Sequence, residues 1–434
     1  MTGGDHDEAD HDGDGATFTD ALAVPAFRRL WVGQLLSVLG DQVARVALSV
    51  LVFERTSSAA LTALTYALTF LPDLVAGPLL SGLADRFPRR TTMVVTDLAR
   101  AGLVAVMAVP GMPLPALVVL LVAVQMLAAP FLAARSAILP HLLPGDRYVA
   151  GAAVMGTTYQ SAQVLGFALG GPLVAAVGVS PALAANAATF VVSAVVLRLG
   201  VPEQQAPQER PDDEVAAWRR ELARVAAGAR VVGGDPRLRS LIGLACVSAF
   251  VVTVEGLAAP YAAELGAGTA AVGLLLAANP LGQALGIVLL TRLVRPGRRP
   301  RLLGPLAVAS CVPLVVSALG PPLPVLVAAW VVSGLACAYQ VPANAAFVAA
   351  VPDARRGQAF GLAVTALRVT QGLGVLLAGL VAQGSSPSTA VAVGGAAGVV
   401  VALLAAGAWR RAQDGAEGAR THDDPDPSEG VGAT

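Results

Sequence analysis

The chain has no lysine: every one of its 29 basic residues is arginine. Schiff-base and amine-nucleophile chemistry are thereby excluded, since both need a side-chain amine that can lose its proton. Cysteine is nearly as scarce. Cys246, Cys311 and Cys337 fall in three different apolar runs, which suits neither a disulfide framework nor a metal spacing, so they read as packing residues. His6, His11, His141 and His422 all lie in tails or a loop, and no nucleophile and base pair is visible; no enzyme is expected. Charge is thin as well, at 13% of residues with a net of zero. Nothing in that balance calls for nucleic acid, a cofactor or a bound metal.

Apolar length is what the chain has in excess. It is 55% hydrophobic with a mean hydropathy of +0.68, more than a soluble domain of this size needs for one core. Runs of about 18 to 25 apolar residues bounded by Arg, Pro or Gly predict an all-α integral membrane protein with twelve spans. Their expected limits are 30–53, 61–82, 91–110, 116–138, 150–176, 181–199, 239–262, 269–291, 302–320, 323–347, 358–382 and 389–409.

Arginine is distributed unevenly among the connections. One alternate set of loops holds Arg86, Arg89, Arg90, Arg147, Arg292, Arg295, Arg298, Arg299, Arg301, Arg355 and Arg356, whereas the opposite set offers only Arg55. By the positive-inside rule the first set and both termini face the cytoplasm, and an even number of spans agrees. Residues 1–25 form an acidic tail expected to be disordered, without the basic start and apolar stretch of a signal peptide, so the first span serves as the insertion signal. Residues 200–238 are a polar linker in which Asp213 to Val232 has the pattern of a helix lying on the membrane surface. That linker separates a bundle over 26–199 from a second over 239–410, and 411–434 reads as a second disordered tail.

The two halves resemble each other. Setting Arg89-Arg90 on Arg298-Arg299, an offset of 209 residues, also brings Arg86 to Arg295; at an offset of 208, Pro144, Arg147, Gln163, Gly166 and Gly171 fall on Pro352, Arg355, Gln371, Gly374 and Gly379. Two anchors so close together suggest a parallel repeat.

Between the second and third runs stands Ser81-Gly82-Leu83-Ala84-Asp85-Arg86-Phe87-Pro88-Arg89-Arg90. Leu83, Ala84, Asp85, Arg86, Arg89 and Arg90 resemble the signature loop of the major facilitator superfamily of secondary transporters, with Ser81 and Pro88 standing where the family has glycine. The resemblance implies two pseudo-symmetric six-helix bundles with a substrate path between them, and every third helix turned to lipid. It also implies a conformational latch, in which Asp85 meets a helix start in the other half and the arginines form a network that breaks and reforms. Asp97 and Arg100 are assigned to the same network. Gly166-Phe167-Ala168-Leu169-Gly170-Gly171-Pro172 resembles the fifth-helix motif of proton antiporters of drug-export type, with Gly166, Gly170, Gly171 and Pro172 as helix-packing residues.

Ionisable residues at bilayer depth are costly unless paired or wet, so each is a functional candidate. In the first span Gln34, Ser37, Asp41, Arg45 and Ser49 share one helical face, and Asp41 has Arg45 one turn away as its expected partner. Thr62, Tyr66, Thr69 and Asp73 repeat the pattern in the second span, where Asp73 lacks a cation on its own helix. Asp41, Arg45, Asp73, Arg135 and Glu255 are the proton-coupling candidates. Gln34, Thr69, Asn279, Gln283, Tyr339, Gln340, Asn344, Arg368 and Gln371 are expected to line the cavity. The function implied is export of a small, largely apolar molecule in exchange for protons by a monomer in the cytoplasmic membrane. Proton-driven uptake is the rival within the family, and a membrane sensor or enzyme the rival outside it.

Overall fold

The computed structural model describes residues 16–72, 86–204, 223 and 226–422. Asp73, Asp85 and the start of the latch loop lie outside the described residues, as does most of the linker helix expected over 213–232. All the regular structure described is helical.

The helices in chain order are α1 Pro25–Thr56, α2 Ala59–Ala67, α3 Arg89–Met107, α4 Leu114–Leu142, α5 Asp146–Val177 and α6 Val179–Gly200. They continue with α7 Pro236–Gly256, α8 Thr269–Leu293, α9 Arg299–Val315, α10 Leu323–Ala350, α11 Arg356–Gly384 and α12 Pro387–His422. Among the described residues ten segments are long and apolar enough to cross a membrane, so the chain is a multi-pass membrane protein. The helices outside that set are α3, which carries Arg89, Arg90, Asp97 and Arg100, and α2, described only to Pro72.

Thr17 and Asp20 form a reciprocal capping box that starts a single helical turn at Phe18–Leu22, and α12 runs on to His422 where a disordered tail was expected from 411. Three expected spans are interrupted. The helix stops at Ala67, Gly256 and Cys337, in each case with a proline whose fourth preceding residue lies at the stop: Pro72 with Leu68, Pro260 with Gly256, Pro342 with Ala338; a further break at Val247 in α7 has no proline at that spacing. A proline ring removes the N–H and crowds the carbonyl four residues back.

In the first half α1 packs on α5 and α6, and α3 on α4 and α6; in the second, α9 packs on α10 and α12, α8 on α10, and α7 on α11. The halves meet through α5 against α8 and α2 against α11. At the first crossing a Cβ on Gly171 would stand 2.7 Å from the Ala270 carbonyl oxygen, and one on Gly273 would stand 2.5 Å from that of Phe167. The backbones touch there because neither residue has a side chain. At the second crossing Gly379 admits Ala63, and the Ser58 hydroxyl donates to Gln383 Oε1 at 2.8 Å. These contacts lie at the end of α5, the start of α8, the start of α2 and the end of α11. All four are on the face opposite the arginine-bearing loops, so the halves are joined at that face. Large apolar side chains on α6, α9 and α12, including Leu199, Val312 and Leu404, are exposed and suit contact with acyl chains.

Overfilling the first crossing should part the halves at this face. With the native cysteines replaced, a short bismaleimide should link Ser58→Cys to Gln383→Cys efficiently. Adding Gly171→Leu should cut the yield about fivefold or more, since overpacking of this kind costs about 1–3 kcal/mol. Unchanged yield would show that the α5–α8 contact does not hold the face closed.

Candidate translocation site

The charged groups of the first half gather where α1, α3 and α6 meet. Gly40 lets α1 approach α6 so closely that a Cβ would stand 2.3 Å from Asn186 Oδ1, and Gly33 does the same beside Ser193. In that space Arg100 Nη2 donates to Asp41 Oδ2 at 2.9 Å, and its Nη1 lies 3.8 Å from Asp97 Oδ1. The Ser193 hydroxyl donates to Asp97 Oδ2 at 2.6 Å, and the guanidinium stacks 4.1 Å above the Phe190 ring. Asp97 is wholly buried. Asp41 pairs with Arg100 rather than Arg45. Asp97 and Arg100 take part in this interior cluster, while the part of the latch loop to which they were assigned lies outside the described residues. Spacing along one helix favoured the i, i+4 neighbour; the approach of α3 supplied a better one.

Arg45 points elsewhere, with its guanidinium 6.0 Å from the centre of the Tyr66 ring and within electrostatic range of Tyr159, Asp41 and Glu255. The Tyr66 hydroxyl donates to the Glu255 carboxylate, and both side chains are buried. This bond runs from α2 in one half to α7 in the other. Two more contacts bridge the halves nearby: Arg368 lies 5.6 Å from the Phe70 ring centre, and Gln160 Nε2 donates to Gln283 Oε1 at 2.8 Å. Asp41, Arg45, Thr69, Gln125 and Asn186 also line a void of about 30 Å³, room for one water.

The remaining expected residues scatter. Thr69 is buried, and its carbonyl accepts from Gln125 Nε2 at 3.0 Å. Gln34 and Asn279 are buried, each with one polar atom lacking a protein partner. Gln371 reaches Ser248 at 3.4 Å, Gln340 is half-buried and Asn344 exposed. Arg135 is half-buried near Tyr159. Tyr339 is fully buried within the second half, its hydroxyl donating to the Leu244 carbonyl at 2.8 Å. Gly166 and Gly170 lie against Gln42 and Val43 of α1, and Pro172 is an exposed residue inside α5.

Two of the latch arginines bond to the end of α4 and to the start of the linker. Arg89 donates to the Ala137 carbonyl and to Gln204, and Arg90 to the Val201 carbonyl and to Glu203, while Arg86 stands at the exposed edge. The Thr91 hydroxyl, at 2.8 Å, and Arg90 hold the Glu203 carboxyl below its ordinary range. Tyr66, Phe70, Gln160 and Ser193 were not singled out as site residues in the sequence. Tyr66 alone carried a signal, as part of the polar stripe on the second span.

A family model described as the Major Facilitator Superfamily matches residues 30–261 and 241–429. The chain belongs to that superfamily. Among curated members, it is 30% identical over 228 residues to the uncharacterized MFS-type transporter YfiS of Bacillus subtilis (strain 168), covering 52% of this chain and 53% of that protein. It is 31% identical over 125 residues to macrolide efflux protein A of Streptococcus pyogenes, covering 28% and 31%. The chain thus matches about half the length of the first relative and less than a third of the second. Solved structures with the same fold include a bacterial homologue of the human lysosomal transporter Spinster and a peptide transporter POT in complex with sulfate. The first has a TM-score of 0.66 at 16% identity, over 89% of this chain and 96% of that one. The second has a TM-score of 0.69 at 15% identity, over 92% and 99%. The protein is therefore a multi-pass membrane protein of the superfamily.

Arg100 should be among the least replaceable residues. Arg100→Met leaves the buried Asp97 without its cation, at a cost of about 3–5 kcal/mol. Detergent-solubilised Arg100→Met should lose its monodisperse peak at temperatures the native protein withstands, whereas Arg135→Met should change little. Equal thermal stability of the two would mean that the cluster does not hold the bundle together.

Proposed function

We propose that this transporter exports a small, largely apolar molecule across the cytoplasmic membrane by alternating access in exchange for protons. It works as a monomer of two like-oriented bundles, 26–199 and 239–410, with the arginine-bearing loops and both termini in the cytoplasm. The observation that carries this reading is the bond from Tyr66 to Glu255. It joins a buried carboxylate of one half to a hydroxyl of the other, beside the Arg45 guanidinium, so the charge on Glu255 affects how firmly the halves hold together.

A proton arriving at Glu255 cancels its attraction to Arg45 and weakens the acceptor that Tyr66 uses. The joined face then loosens, and loss of the proton restores it. Asp41, which shares Arg100 with Asp97, is a second place for a proton, and Asp73 remains a third on its sequence alone. Asp85 acts as the latch on the opposite face when the halves close there. Arg89 and Arg90 bonding to α4 and to the start of the linker suits a state in which that latch is open. The match to a macrolide efflux protein supports export over uptake, and the arginine asymmetry supports the orientation.

Everted vesicles supplied with a panel of macrolides and apolar dyes test the reading. Under a proton gradient the native protein should accumulate at least one probe. Glu255→Gln keeps the hydrogen-bonding shape but not the charge, and should lose accumulation while still exchanging probe down its own gradient. Tyr66→Phe removes a hydrogen bond to a charged group and should cut accumulation about tenfold or more. Full accumulation by Glu255→Gln would defeat the coupling role, and probe entry only into right-side-out vesicles would make the protein an importer.

A further inference from the structure

On the arginine-bearing face, away from the interface between the halves, α7 and α12 enclose a groove of about 710 Å³. Its rim carries Arg237, Arg239 and Arg411, and its floor is Gly243, Ala405 and Ala408. We propose that this groove holds the headgroup and upper acyl chain of an anionic phospholipid.

The charge is one-sided. Against three guanidinium groups stands the single carboxylate of Asp235, and that carboxylate is occupied in capping α7, where Oδ1 accepts from the Arg237 backbone N–H at 2.7 Å. Arg237 reaches across the groove, its Nε donating to the Ala412 carbonyl of α12 at 3.4 Å. Among the described residues Arg239 and Arg411 make no ion pair. A cluster of guanidinium groups with so little internal compensation suits phosphate oxygens, which accept paired N–H bonds.

A soluble anion would use the rim alone. The floor is what assigns the groove to a lipid, because below the arginines the two helices present small residues and leave room between them. A Cβ on Gly243 would meet only the Ala405 methyl, at 3.7 Å. The level is also that of headgroups: at this point α12 passes from its apolar run into Arg410 and Arg411, and the Trp409 indole N–H donates to the Pro300 carbonyl at 3.2 Å. A basic notch above an apolar crevice at that depth has the two-part chemistry of a lipid with a phosphate head, and charge favours an anionic one.

Native mass spectrometry of the detergent-solubilised full chain, titrated with phosphatidylglycerol, phosphatidylcholine or inorganic phosphate, tests the assignment. Wild type should retain phosphatidylglycerol in clear preference to phosphatidylcholine, and inorganic phosphate should not displace it. Arg239→Gln with Arg411→Gln should weaken retention about 30-fold, since each arginine near an anionic headgroup contributes similarly. Gly243→Leu with Ala405→Leu, which fills the floor and leaves the charges, should also abolish the preference, while Arg295→Gln on the α8–α9 loop should not. Displacement by inorganic phosphate would make this a free-anion site and overturn the proposal. So would retention that survives both double variants, or a rise in retention on deleting residues 423–434, which would assign the groove to the chain's own acidic end.

Discussion

An ionised side chain inside a bilayer must find a partner from the protein itself, because hydrocarbon offers none. Much of this molecule's architecture follows from how few charges it buries and where they find partners. Arg100 is the clearest case. It serves Asp41 from α1 and Asp97 from its own helix while stacking on Phe190 of α6, so one guanidinium fixes the mutual placement of three helices. Glu255 solves the same problem differently, through a hydroxyl from the other half. That bond ties one half to the other, whereas Arg100 ties together helices of a single half.

The close approaches that make those pairings possible depend on absent side chains. Gly33 and Gly40 bring α1 onto α6, and Gly171 and Gly273 bring the halves together. Without a hydrophobic force between helices in lipid, packing of small residues and interhelical hydrogen bonds must hold the bundle. The same economy appears at the α7–α12 groove, where small residues do the opposite: Gly243, Ala405 and Ala408 leave space rather than contact. Whether a glycine closes a gap or opens one depends on what faces it.

Prolines show a similar dependence on context. Pro72, Pro260 and Pro342 each end a helix at the fourth residue before them, and these breaks fall on α2, α7 and α10. Yet Pro130, Pro172 and Pro280 sit inside unbroken helices. Neighbouring helices can satisfy the carbonyl that a proline frees, so the residue type alone does not settle the backbone.

The sequence by itself determined the membrane class, the approximate limits of most spans and the superfamily. Apolar run length and the arginine-rich loop between the second and third runs are properties of short stretches of chain, readable without a partner. It also singled out the ionisable residues as candidates, since any charge at bilayer depth stands out. Only the tertiary structure decided who pairs with whom: Asp41 with Arg100 across 59 positions, and Tyr66 with Glu255 across 189. It also gave the Tyr339 hydroxyl its partner, the Leu244 carbonyl 95 positions away. Pairing energies depend on distance in space, and helical periodicity reports only the neighbours on one's own helix. Arg45 looked like the partner of Asp41 for that reason, until a second helix brought a nearer charge.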